Sequence, residues 1–328
     1  MPANLTPQYL EAERKFKQAK TPEEKLSALE EMLATIPKHK GTEKLQADIK
    51  RRVSKLKEQD DKAKGARRED HYFIKKEGAG QVVIIGPPNV GKSQLLASLT
   101  HARPEVAPYP FSTLKPLAGM MPYENIQIQL IDTPPITSDF LESGILGTIR
   151  NSDLVWLTID LGSDDPSAEL ETIKKKLEEK KIKLHKDENA NSLDLGEVCK
   201  KTMVLGNKND SKNAKGNWEI IKELYDSSFL LYSVSAKTKT GLEELKRETF
   251  KHLEIIRIYT KVPGKPTDYK DPVVLKKGKT LMDAALAIHK DFAHNLKYAR
   301  IWGEGKYEGQ MVNRDQVLED GDVIEFHI

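Results

Sequence analysis

The sequence predicts an α/β fold in which a mostly parallel sheet carries a phosphate-binding loop. A helical hairpin precedes it and a small β-grasp-like unit follows. Three observations lead there. Between residues 78 and 258, short apolar runs alternate with segments of helical period, the pattern of parallel strands joined by right-handed crossovers. The first of these runs, Gln81-Val82-Val83-Ile84-Ile85, enters Gly86-Pro87-Pro88-Asn89-Val90-Gly91-Lys92-Ser93 and then Gln94-Leu95-Leu96-Ala97-Ser98-Leu99. Strand, glycine-rich turn and helix start are the context a phosphate loop requires. Beyond residue 258 several strands flank one helix in a segment of about seventy residues, small for an independent core. The expected domains are therefore 1–77, 78–258 and 259–328.

In the first segment, Thr6-Pro7 reads as an N-cap followed by proline in the first turn. Thr21 and Glu24 have capping-box spacing. Leu26, Leu29, Leu33 and Ile36 then share a helical face, and Pro37 ends the run. Thr42 can cap a further helix whose stripe is Leu45, Ile49, Val53 and Leu56. Two facing stripes suggest a helical hairpin. Its polar side gathers Lys38, His39, Lys40, Lys44, Lys50, Arg51, Arg52, Lys55 and Lys57. That face is either simply solvated or a contact for the phosphate backbone of RNA. Residues 58–70 hold both signs of charge and almost nothing apolar, as a linker or frayed helix end would.

After the phosphate loop, Ala107 to Pro116 is punctuated by prolines and suits a loop that closes over a γ-phosphate. Ile126–Ile131 alternates as a strand and delivers Asp132 to its C-terminal end, where ligands of open α/β sheets gather. Leu154–Ile159 is a continuous apolar run, expected of a strand covered on both faces. Residues 163–200 read as irregular and charged, with one helix from Ala168 to Lys181. Thr202–Gly206 and Phe229–Val234 are the next strands, and a helix is expected from Gly241 to Ile258 with Leu242, Leu245, Phe250 and Leu253 inward. In the last segment Pro272–Leu275 is a strand, Thr280 caps a helix to about His294, and Leu296–Trp302 and Val323–Ile328 are further strands.

Composition narrows the class without naming it. Of 328 residues 31% are charged and 38% hydrophobic, an ordinary globular profile, and the net charge of +3 is too small to argue a global field. A single cysteine, Cys199, allows no internal disulfide and fits a reducing, cytoplasmic setting as a small core residue. No apolar run approaches a membrane span, so no membrane partner is expected. The histidines, His289 and His294 among them, form no metal-ligand pattern.

The chemistry lies in three loops. Backbone N–H groups from Gly86 to Gln94, including those of Asn89, Val90 and Gly91, face anionic oxygens. Lys92 adds a point charge for the β- and γ-phosphates, Ser93 offers a hydroxyl to Mg²⁺, and Asp132 can hold the same ion, usually through water. Asn207-Lys208-Asn209-Asp210 follows a strand, and its Asp210 carboxylate can accept from both N1–H and N2–H₂ of guanine. Adenine offers no such pair, and a buried carboxylate left unpaired is costly. Asn207 can bond the other ring edge and tie its loop to the phosphate loop. Ser235-Ala236-Lys237 closes over the base, with the Ala236 N–H directed at O6.

Taken together, Gly86 to Ser93, Tyr109-Pro110-Phe111-Ser112-Thr113-Leu114, Asp132-Thr133-Pro134, Asn207-Lys208-Asn209-Asp210 and Ser235-Ala236-Lys237 resemble the five guanine-nucleotide motifs of the Obg family of GTPases. The developmentally regulated GTP-binding branch is the most similar. Ile258 to Lys265, Lys297 to Gly303 and Val317 to Asp322 resemble that branch's C-terminal TGS domain. The resemblance spans nearly all of the chain except residues 163–200. Because the domain inserted in eukaryotic members is not recognisable, it points to a compact prokaryotic type. It implies a slow GTP hydrolase that binds GTP and GDP with Mg²⁺ and couples nucleotide state to the ribosome or its RNA, without DNA specificity. Thr113 matches the threonine that closes on Mg²⁺ and γ-phosphate. Asn89 matches the asparagine that helps hold a K⁺ ion in cation-dependent relatives, unless it serves only as a turn residue. Two departures matter: Ile136 stands where many GTPases carry a water-orienting glutamine, a trait the family shares, and the family's Asp-x-x-Gly stands here as Asp132-Thr133-Pro134-Pro135. Proline has no N–H with which to sense a phosphate. A nucleotide-dependent binding module with negligible hydrolysis is therefore the alternative, and an ATPase a third.

Overall fold

The computed structural model describes residues 7–18, 22–36, 46–53, 74–100, 116–187 and 196–327. It divides into two units, 1–71 and 72–328.

Among the described residues the first unit holds three helices, α1 (Pro7–Gln18), α2 (Pro22–Thr35) and α3 (46–53). The hairpin expected from two stripes is a three-helix cluster. Tyr9, Ala12 and Phe16 give α1 its own apolar stripe at i, i+3 and i+7, and it packs with Leu29, Met32, Ile36 and Ile49. Lys50, Arg51 and Arg52 are exposed on α3, with Arg52 paired to Asp48 at 2.8 Å. The other residues of the expected basic face, and Leu45 and Leu56 of the stripe, lie outside the described residues.

The second unit begins with a seven-stranded sheet in the order β2-β3-β1-β4-β6-β5, with β7 also paired to β6. Its strands are β1 (Gln81–Ile85), β2 (Leu117–Tyr123), β3 (Ile126–Asp132), β4 (Leu154–Asp160), β5 (Ile182–His185), β6 (Val198–Asn207) and β7 (Leu230–Ser233). All pairings are parallel except β2 with β3. Period two divides β1 cleanly: Val82 and Ile84 enter one apolar layer, Val83 and Ile85 the other. Helices α4 (Lys92–Leu99) and α8 (Leu242–His252) cover the first layer. Helices α5 (Ser143–Asn151), α6 (Pro166–Glu178) and α7 (Ala214–Tyr225) cover the second. Each large side chain buried here, Trp156 on β4 foremost, contributes roughly 1.5–3 kcal/mol of transfer free energy. The parallel order brings the ends of β1, β3, β4 and β6 to one sheet edge.

Further expectations need correction. The segment 163–200 is not irregular throughout: α6 ends at Glu178, and Ile182 and Leu184 turn inward on β5, which pairs with β6. Polar Lys183 and His185 on alternate positions hid that strand. Cys199, expected as a small core residue, is buried within β6. The helix expected to reach Ile258 stops at His252. Glu254 adopts φ 51°, and the β-branched run from Ile255 enters a second sheet as β8 (Ile255–Lys261).

That second sheet runs β11-β10-β12-β8-β9, with β9 (Val273–Lys276), β10 (Tyr298–Trp302), β11 (Gln310–Val312) and β12 (Val323–His327). Thr280 and Asp283 form a capping box at the start of α9 (Leu281–Ile288). The expected single helix breaks at His289, which is extended and whose Nδ1 accepts from Asp291 N at 3.2 Å to start α10 (Lys290–Asn295). Arg257 joins the two sheets. It pairs with Asp320 at 2.7 Å and with Glu124 in the β2–β3 turn, and lies 4.8 Å from the Phe250 ring centroid. Among the described residues, no helix is long and apolar enough to cross a membrane.

Candidate nucleotide-binding site

The loop after β1 has a backbone that few side chains would allow. A Cβ on Gly86 would meet the Thr158 carbonyl oxygen at 2.3 Å. Gly91 sits at φ 90°, and a Cβ there would meet Asn207 Nδ2 at 2.5 Å. Asn89, exposed, adopts φ 62°, which asparagine tolerates better than most residues. Val90 is buried and Gln94 exposed on the first turn of α4.

Lys92 opens α4 with only 7% exposure, and its Nζ donates to Gly86 O at 3.1 Å and Pro87 O at 2.9 Å. The ammonium thus curls over the loop. Burial pushes its pKa down to about 8, opposed by the charge of Asp132. Ser93 Oγ donates to Asp132 Oδ2 at 2.5 Å. Asp132 is fully buried, and its Oδ1 has no hydrogen-bond partner among the described residues. Burial raises its pKa, while the Ser93 bond and Lys92 oppose that rise. A buried carboxylate oxygen without a partner is costly. Beside a hydroxyl and an anion-binding loop, it fits a divalent cation.

The base end of the site is built around Asn207, which is fully buried at the end of β6. Its Nδ2 donates to Val90 O at 2.7 Å and its Oδ1 accepts from Ala236 N at 3.0 Å. One amide therefore joins the phosphate loop, the loop after β6 and the loop after β7. The Ala236 N–H, expected to face O6 of the base, is given to Asn207 here. Asp210 is exposed, and its Oδ1 accepts from Ser235 Oγ at 2.7 Å. That bond holds its pKa below the usual carboxylate range, with Lys237 and Lys208 adding to the effect. Lys237 is exposed and Ser235 buried. Lys208, at φ 60°, pairs with Asp160 Oδ2 at 2.5 Å.

The segment after Asp132 is packed rather than open. Thr133 Oγ1 donates to Ile84 O at 2.8 Å, and Ile136 N donates to Gly86 O at 3.1 Å. Pro134 and Pro135 are buried, and Ile136 is 1% exposed in the core. Residues 107–115 of the proline-punctuated segment, Thr113 among them, lie outside the described residues.

Sequence reasoning missed two contributors. Asp160 ends β4 at the same sheet edge as Asp132, and a carboxylate closing an apolar strand was the available signal. Ser98 Oγ donates to Ala236 O at 3.0 Å, tying α4 to the base loop. Nothing in its helical context marks it.

Residues 81–191 match the family described as 50S ribosome-binding GTPase, and residues 256–328 match the TGS domain. An uncharacterized GTP-binding protein of Methanocaldococcus jannaschii is 30% identical, the match covering 92% of each chain. Developmentally-regulated GTP-binding protein 1 of Xenopus laevis is 26% identical over 92% of this chain and 97% of its own. Among solved structures, the Schizosaccharomyces pombe YchF GTPase superposes with a TM-score of 0.52 at 16% identity, covering 78% of this chain and 99% of that one. At that identity the likeness shows the fold alone.

Proposed function

The chain belongs to the family of TGS-containing GTP-binding proteins that includes the developmentally regulated ones, and from that premise we propose that it hydrolyses GTP slowly and couples nucleotide state to the ribosome or its RNA. The observation that carries this reading is the Asn207 amide, whose two ends link the phosphate loop to the base loops and make them one site. Gly86, Asn89, Val90, Gly91, Lys92, Ser93 and Gln94 hold the phosphates. Asp210, Ser235 and Lys237 read guanine, Ala236 braces the loop by giving its N–H to Asn207, and Asn207 and Lys208 frame the base. Lys92 and Thr113 act on the γ-phosphate.

The residues suited to Mg²⁺ are Ser93, Thr113 and Asp132. When bound, that ion supplies charge neutralisation between the phosphates. Asn89 is the residue for a K⁺ ion. The N-terminal helical segment and the C-terminal TGS segment, which precede and follow the nucleotide domain in the sequence, serve as contacts for the ribosome. The ribosomal part rests on the description of the family that residues 81–191 match and on the exposed basic residues of α3.

The test is GTP turnover in KCl and in NaCl, with and without ribosomal large subunits. Faster turnover with subunits is expected, and faster turnover in KCl than NaCl if Asn89 holds K⁺. Turnover indifferent to subunits would contradict the coupling. A second reading, a binding module with negligible hydrolysis, is favoured by the buried Pro134-Pro135-Ile136 segment fixed to Gly86. On that reading, co-sedimentation with subunits is equal in GDP and GTP.

The depressed pKa of Lys92 gives a further expected result. In the free protein its ammonium is about half protonated near pH 8. Phosphate oxygens favour the charged form, so binding raises this pKa and the complex takes up protons above about pH 7. Calorimetric titration with GDP near pH 8, in two buffers of different ionisation enthalpy, should show net uptake approaching about half a proton. Net release at that pH would contradict the placement of phosphate against Lys92.

A further inference from the structure

Lys208 and Asp210 are two residues apart on the loop after β6 and carry opposite charges. An ion pair between them would occupy the carboxylate that reads the base. The structure shows Lys208 turned elsewhere. Its Nζ lies 2.5 Å from Asp160 Oδ2, on the neighbouring strand. Asp160 ends β4 in register with Asn207, and its Oδ1 accepts from Gly162 N at 2.8 Å. The acceptor is thus held from both sides: by strand pairing and by its own turn. The Asp160 side chain is 18% exposed and that of Lys208 40%. A pair this accessible contributes little to stability, so its larger physical consequence is to select one position for the lysine ammonium. Asp210, meanwhile, is exposed and engages Ser235 with one oxygen.

We infer that Asp160 is a positioning residue for guanine selection: it holds the Lys208 ammonium away from Asp210 and so keeps that carboxylate available to the N1–H and N2–H₂ of the base. The inference deepens the proposed function and rests on it. Without Asp160, the lysine competes with the base for Asp210. Competition weakens the two bonds that distinguish guanine, whereas general loosening of the loop weakens every purine alike. Glu169 feels the charges of both Asp160 and Lys208 and could take over as acceptor, so it is neutralised in one variant.

The experiment measures GDP and IDP affinities by fluorescence titration for the full chain, for Asp160→Asn and for Asp160→Asn with Glu169→Gln. IDP lacks the 2-amino group and makes one bond fewer to Asp210. The double variant is expected to bind GDP about fivefold more weakly, with a smaller loss for IDP, so that the GDP-to-IDP preference falls. Equal losses for the two nucleotides would assign Asp160 a merely structural role and overturn the inference, as would unchanged GDP affinity in the double variant. A wild-type chain that binds no GDP would overturn the site reading itself, and this inference with it.

Discussion

Lys92→Ala is expected to lower GTP affinity at least about a hundredfold, since the variant loses two or more charge-assisted contacts worth roughly 1.5–3 kcal/mol each. The buried ammonium, folded against Gly86 O and Pro87 O, is the concentrated positive charge of the phosphate loop. Folding should survive the change. In the free protein, burial disfavours the charged amine, as the lowered pKa shows, so removing it does not remove a stabilising ion pair. Thermal melting without nucleotide should therefore match wild type, while titration with GTP shows little uptake. Wild-type affinity in the variant would refute the phosphate site. A collapse of the melting temperature would show that the lysine is structural instead.

Asp210→Asn is the second large effect. Its carboxylate is exposed, braced by Ser235, and ionised throughout the neutral range because that bond holds its pKa low. An amide in its place turns one acceptor into a donor facing the N2–H₂ of guanine. The loss of one or two charge-assisted bonds should lower GDP affinity about thirtyfold to a thousandfold. Adenine nucleotides gain no matching contact. Competition titrations with GDP and ADP check both statements. Unchanged GDP affinity would show that this carboxylate does not read the base, and an ATP-selective wild type would favour the third reading. Because the Asp210 pKa is depressed, GDP affinity should change little between about pH 8 and pH 6 on this residue's account.

Much of the site was legible because its chemistry sits at strand ends. Apolar runs fixed β1, β3, β4 and β6, and each run delivers a site residue to the same sheet edge: Gly86, Asp132, Asp160 and Asn207. Spacing alone could not show that Asn207 uses both ends of its amide on the protein, nor that the Ala236 N–H goes to it. Those contacts join residues 117 and 29 positions apart. The packing of Pro134 to Ile136 was half visible. Proline revealed the missing N–H, but burial against the phosphate loop depends on tertiary contacts. Strand β5 was hidden by its shortness and by Lys183 and His185 on its outer positions. Helix α8 was drawn too long because Ile255 to Ile258 continues an apolar pattern that suits either period, and Glu254 at φ 51° ends the helix without any glycine to announce it.

The central claim is that one sheet edge grips a purine nucleotide at both ends and selects guanine. The most direct measurement is titration of the wild-type chain with a fluorescent GDP analogue in the presence of Mg²⁺, with displacement by unlabelled GDP and ATP. Saturable 1:1 uptake, reversed by GDP and not by ATP, is the expected result. Absence of saturable uptake, or equal displacement by ATP, would contradict it.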